Sequence, residues 1–88
     1  MSTKDPNAMS LTMLDALAFA KEHGGTLHRY PGGFWLQDNL PGGSYPGHVK
    51  HYGTQTVEAL VKRGAMRYTR WQQHRGGAGQ FPIEATLT

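Results

Sequence analysis

The chain contains no cysteine. Disulfides and thiolate metal sites are therefore excluded, and nothing points to a secreted, stapled scaffold. No apolar run approaches the roughly 18 residues that a membrane span needs. The opening stretch, MSTKDPNAMS, lacks the apolar segment of a signal peptide. These absences make the cytoplasm the expected location and leave no membrane among the expected partners. Apolar residues are also scarce, at 38% of 88 positions. A chain of this length buries only about 60–65% of its unfolded surface, so its core is thin. Two separate domains and a large-clefted enzyme do not fit.

Acidic residues are few, and fewest in the second half. Residues 46–88 hold Lys50, Lys62, Arg63, Arg67, Arg70 and Arg75 against only Glu58 and Glu84. Residues 1–45 are slightly acidic, and the formal net charge of the whole is +3. His48, His51 and His74 also fall in the basic half. Such asymmetry suggests an anionic partner, nucleic acid first. A solvated basic surface would look the same.

Glycine and proline, by contrast, are plentiful, at 12 and 5 positions, and they punctuate the chain. Residues 1–9 are polar, contain Asp5-Pro6-Asn7, and are expected to form a disordered tail, vector-derived or native. Residues 10–88 then form one domain. Ser10 to His23 reads as a helix capped by Ser10 or Thr12. Its expected apolar stripe is Leu11, Leu14, Leu17 and Ala18, widened by Met13 and Phe19. Gly24-Gly25 ends it. Thr26–Tyr30 and Phe34–Gln37 read as a hairpin around Pro31-Gly32-Gly33, with Leu27 and Trp35 inward. Residues 38–53 are rich in glycine and proline, with a short helical turn expected around His48 to Tyr52. Thr54–Arg63 is a second helix, with Thr54 as N-cap, a Val57/Leu60/Val61 stripe, and Gly64 as its terminator. Ala65–Thr88 reads as a second hairpin whose return arm alternates Phe81, Ile83, Ala85 and Leu87 with polar residues. Its tip is His74-Arg75-Gly76-Gly77-Ala78-Gly79.

The expected fold class is thus α+β, a single small domain in the order α-β-β-α-β-β. The two hairpins either join one antiparallel sheet or the second stands out from it.

The segment Gly53-Thr54-Gln55-Thr56-Val57-Glu58-Ala59-Leu60-Val61-Lys62-Arg63-Gly64-Ala65-Met66, followed by a strand that returns through a glycine-rich tip, resembles the recognition helix and wing of winged helix-turn-helix domains. The resemblance covers residues 53–88. Small phage and prophage proteins have a similar layout. The glycine- and proline-rich residues 38–53 stand where that family has a helix. The resemblance implies a winged-helix-like domain with the C-terminal hairpin as wing, encoded by a phage or prophage. It also implies DNA as partner, with Gln55, Thr56, Ala59, Lys62 and Arg63 on the groove-facing helix and Arg67, Arg70, His74 and Arg75 on phosphates. Glu58, on the same helix, has the wrong charge for phosphate. The alternative is a module that binds and modulates a host protein without nucleic acid, as monomer or homodimer.

The aromatics fit core and hairpin packing. Tyr45, Tyr52 and Trp71 are the expected exceptions, as interface residues. His48-x-x-His51 has chelating spacing but lacks a third ligand nearby, so no metal is expected. None of the glycine stretches is followed by Lys-Ser/Thr at a strand-to-helix junction, so no phosphate loop is present. The carboxylates are scattered and no serine sits in a nucleophile elbow. Neither catalysis nor a cofactor is expected.

Overall fold

A computed structural model describes residues 9–40 and 42–88. The expected tail falls on residues 1–8, outside the described residues, and on Met9, which is half-buried and packs against the core.

Helix α1 spans Leu11–Glu22, strand β1 Thr26–Tyr30 and strand β2 Phe34–Leu36. A 3-10 turn at Pro46–His48 leads to the two-residue strand β3, Tyr52–Gly53. Helix α2 spans Thr54–Lys62, followed by strands β4, Met66–Gln73, and β5, Gln80–Leu87. The domain is α+β with the expected element order and a C-terminal hairpin; β3 is added just before α2. The 3-10 turn falls earlier than the sequence suggests, because Pro46 fixes the φ at its start.

One antiparallel sheet runs in the order β3-β2-β1-β5-β4. Both hairpins therefore belong to it. β1 pairs with β5 only from Thr26↔Thr86 to His28↔Glu84. Beyond that point β4 and β5 pair with each other alone, from Trp71↔Pro82 to Gln73↔Gln80. The base of the hairpin is sheet and its outer half projects as a wing, beside α2, a layout compatible with a winged-helix-like arrangement.

Local chemistry sets the helix ends. The Ser10 hydroxyl accepts from the Met13 amide at 3.1 Å and caps α1. At the end of α2, Gly64 has φ +79°, its N–H donates to Val61 O, and the Ala65 N–H donates to Leu60 O. This double return needs a residue that tolerates the left-handed region. α2 starts at Gly53 rather than at a capping threonine: Thr54 is its first helical residue, and the Thr54 hydroxyl is taken by Trp35.

Both helices cover one face of the sheet. Leu27, Trp35, Tyr52, Met66 and Ala85 from the strands meet Met13, Ala16, Phe19, Ala20, Val57 and Leu60 in one core. Leu27 and Trp35 are fully buried, as expected, and so is Leu36, next to Trp35 in β2. On α1 the stripe is rotated from the expected one. Met13, Ala16, Phe19 and Ala20 face inward, Leu17 is half-buried, and Leu11 and Leu14 are 85% and 51% exposed. α1 carries apolar residues on both sides, and its small Ala16 and Ala20 are fully buried against the core.

Candidate functional site

The C-terminal hairpin is irregular. Its register shifts between Tyr68 and Arg70 and again between Arg70 and Trp71. Thr69 and Ile83 are left without strand partners. Bulges of this kind bend a strand pair and sharpen its twist. The extra residue also puts Tyr68 and Trp71, three apart, in contact. Their rings meet edge-to-face at 5.3 Å, and Tyr68 in turn lies 6.3 Å from Trp35. A line of three aromatic rings thus runs from the core to Trp71, which is half exposed. Burial, with Glu58 nearby, raises the Tyr68 phenol above its usual pKa, so it stays neutral.

The wing curls beside the start of α2. Between them lies a cleft of about 320 Å³ lined by Arg29, Trp35, Thr54, His74, Phe81 and Pro82. The Trp35 indole N–H donates to the Thr54 hydroxyl at 3.1 Å, which ties the start of α2 to β2. The Arg29 guanidinium stands 5.0 Å over the Phe81 ring, and the His74 ring is 4.9 Å from the same ring. Arg29 pairs with Trp35 across β1 and β2 and shares the inward face with Leu27. A wider, more open depression of about 530 Å³ lies on the other side of the α2 start, around Gly33, Phe34, His51 and Gln55.

The expected contact residues do not form one patch. On α2 the outward stripe is Gln55, Glu58 and Lys62; Thr56 and Arg63 are half-buried. Gln55 is at the wing end of the helix and Lys62 at the opposite end. Arg67, Arg70 and Arg75 are all exposed, as expected. However, Arg67 pairs across from Thr86 and Arg70 across from Glu84, on the sheet face turned away from the helices. That face holds a polar network. Thr69 donates to Glu84 at 2.7 Å, Arg70 Nε is 4.0 Å from Glu84, and His28 Nε2 is 3.4 Å from it. Glu84 is therefore engaged from three sides, and its side chain is only 16% exposed. Arg75 sits on the wing tip. The cations thus follow the outer edge of the molecule rather than the exposed side of α2.

Of the three expected interface aromatics, Tyr45 and Trp71 are exposed, but Tyr52 is not. It is 5% exposed, stacks edge-on with Phe19 at 5.5 Å, and its hydroxyl donates to the Asp15 carboxylate at 2.7 Å. Lys50 completes this cluster at 3.0 Å from Asp15. The hydrogen bonds from Tyr52 and Lys50 hold Asp15 below the usual carboxylate range. Burial and the Asp15 contact push the Tyr52 phenol up to about 12. This is a structural strut between α1 and β3. Of the two loop histidines, His51 bonds the Val49 carbonyl at 2.8 Å and packs edge-on against Phe34, while His48 lies against Tyr45. Among the described residues, no three His, Asp or Glu side chains gather as a metal site, and no helix is long and apolar enough to cross a membrane.

His74 is expected at the wing as a phosphate contact, and the structure places it in this cleft; Arg29, Phe81 and Pro82 are not among the expected site residues. One signal for Arg29 is in the sequence: it lies two residues after the inward Leu27, so strand alternation turns it inward as well. Phe81 belongs to the apolar row of the return arm, but nothing in the sequence brings that row beside Arg29.

No family model, no curated protein and no solved structure matches the chain.

Proposed function

We propose that this protein binds nucleic acid along its C-terminal hairpin. The observation that carries this reading is the run of exposed Arg67, Arg70 and Arg75 on β4 and the wing; the half-exposed Trp71 is on the same strand, its ring on the side of Tyr68. On this sheet face Glu84 is withdrawn into hydrogen bonds and ion pairs, and Asp38 lies 3.8 Å from His28 Nδ1. A row of cations with an exposed ring suits a phosphate backbone with stacking of unpaired bases. Base readout by α2 has less support, because Glu58 occupies the middle of its outward stripe. Attachment is then electrostatic and tolerant of sequence. The winged-helix resemblance and a phage or prophage origin are compatible with this reading, and the groove-bound form of it would add Gln55, Lys62 and Arg63.

The test is fluorescence anisotropy with labelled single strands and duplexes at about 50 and 200 mM salt, the range over which phosphate contacts weaken. Three arginine contacts give a log–log salt slope of about −2 to −3. Replacing Arg67, Arg70 and Arg75 together by Gln brings the slope close to zero. Absence of binding at the lower salt, or a slope that survives the triple variant, overturns the reading.

A second reading rests on Leu11, Leu14 and Tyr45, which expose apolar surface away from the hairpin. It is a protein-binding module, and its affinity would be nearly indifferent to salt.

A further inference from the structure

Arg29 is half-buried at an inward strand position where an apolar residue would pack. Among the described residues no carboxylate lies within ion-pair reach of it, and its guanidinium stands 5.0 Å over the Phe81 ring. No buried nitrogen among the described side chains lacks a partner, so the donors of its planar fork stay open to solvent and to an incoming acceptor. The cleft it lines holds no acidic residue at all. Its other polar groups are the His74 ring and the Thr54 hydroxyl, which already accepts from Trp35 and has its own proton left to donate. The remaining walls are flat and apolar: Trp35, Phe81 and Pro82. The volume, about 320 Å³, lies at the small end of ligand pockets.

We propose that this cleft binds one nucleotide unit, with its phosphate on the Arg29 fork and its ring against Phe81 and Pro82. The planar fork matches phosphate oxygens in pairs, and the flat walls match a base. The proposal rests on the nucleic-acid reading for the identity of the ring. The unit is either a free nucleoside monophosphate or the phosphorylated end of a strand.

Trp35 is a wall of the cleft, so its indole N–H resonance reports on the cleft in the unaltered chain. The probes are adenosine 5′-monophosphate, inorganic phosphate, and one oligonucleotide with and without a 5′-phosphate. The readouts are the Trp35 indole N–H shift and the amide shifts of Arg29, His74 and Phe81. The expected result is a saturable response to the monophosphate, weakened about tenfold or more by Arg29→Gln, the loss of a charge-assisted hydrogen bond. Arg29→Lys keeps the charge without the fork and falls between. A preference for the 5′-phosphorylated oligonucleotide over the monophosphate identifies a strand end as the occupant; the reverse identifies the free nucleotide. No saturable response to any of the three, or a response unchanged in a folded Arg29→Gln protein, overturns the proposal. The Arg67/Arg70/Arg75→Gln variant separates the two readings. Monophosphate binding without salt-dependent strand binding leaves the cleft and removes the hairpin reading. Strand binding with silent Arg29, His74 and Phe81 amides does the opposite.

Discussion

At the scale of single residues, the Asp15–Tyr52–Lys50 cluster shows how a loop is fastened to a helix. Tyr52 lies in a stretch whose glycines and prolines suggest an exposed ring, yet it is the first residue of a two-residue strand whose side chain turns into the core. Its buried phenol finds a carboxylate on α1. The two pKa shifts have opposite consequences for stability. The folded protein lowers the Asp15 pKa, so the stabilisation is present above its unfolded value of 3.8 and is lost as pH falls through the lower folded value. The folded protein raises the Tyr52 pKa from 10.0 to about 12, so stability is complete below pH 10 and declines from there to about 12 as the unfolded chain ionises first. Tyr52→Phe should cost about 0.5–1.5 kcal/mol at neutral pH, the worth of a typical hydrogen bond. It should also shrink the alkaline decline, of which Tyr30 and Tyr68 keep a share, and soften the acid one. Urea midpoints of both proteins across pH 3 to 12, the span of these two titrations, test this. Identical alkaline limbs would show that Tyr52 is not held neutral by the fold.

At the scale of elements, α1 is the most sensitive test. Either of two apolar faces would serve a helix in isolation, and the sheet selects the one with Met13, Ala16, Phe19 and Ala20. Phe19→Ala should therefore cost about 3–5 kcal/mol, as for a large core ring. Leu14→Ala should stay within about 0.5 kcal/mol, as for a surface change. The chemical denaturation midpoints of the two variants, compared with the parent, decide it; a larger loss for Leu14→Ala would restore the stripe that spacing alone favours. This element explains what was legible in advance. α2 was readable because Val57 and Leu60 have polar neighbours around the rest of the helix and Gly64 marks its end. The first hairpin was readable because Pro31-Gly32-Gly33 fixes its turn, which in turn fixes Leu27 and Trp35 inward. α1 was not, since apolar spacing cannot rank two faces when both are apolar. The cleft was not either, because it depends on β5 lying next to β1, which brings Phe81 to Arg29, and that neighbourhood has no mark in composition. The arginines were legible as charges, but the side of the sheet they occupy follows from pairing partners, here Thr86 and Glu84.

At the scale of the whole molecule, the sheet has two unequal edges. β3 closes one edge with two residues, while β4 leaves eight, Met66–Gln73, with a neighbour on one side only. A long open edge is a template for pairing with another chain. Two features oppose that. The shifts around Thr69 and Arg70 break the straight row of donors and acceptors, and bulges blunt edges in this way. Arg67 and Arg70 add like charges that an antiparallel pair of copies would bring close together, which is unfavourable across strands. The arginines that attract a polyanion thus also keep the edge single. Replacing both by Thr, a good strand former, should therefore produce concentration-dependent association in sedimentation velocity at low salt, while the parent chain stays monomeric. The same double variant should lose affinity for oligonucleotides, so the two effects appear together. If the association instead runs through the exposed leucines of α1, Leu11→Ser with Leu14→Ser in that background will abolish it. Association through β4 will survive those changes, and a parent chain that dimerises as strongly as the double variant would remove the edge arginines from this role.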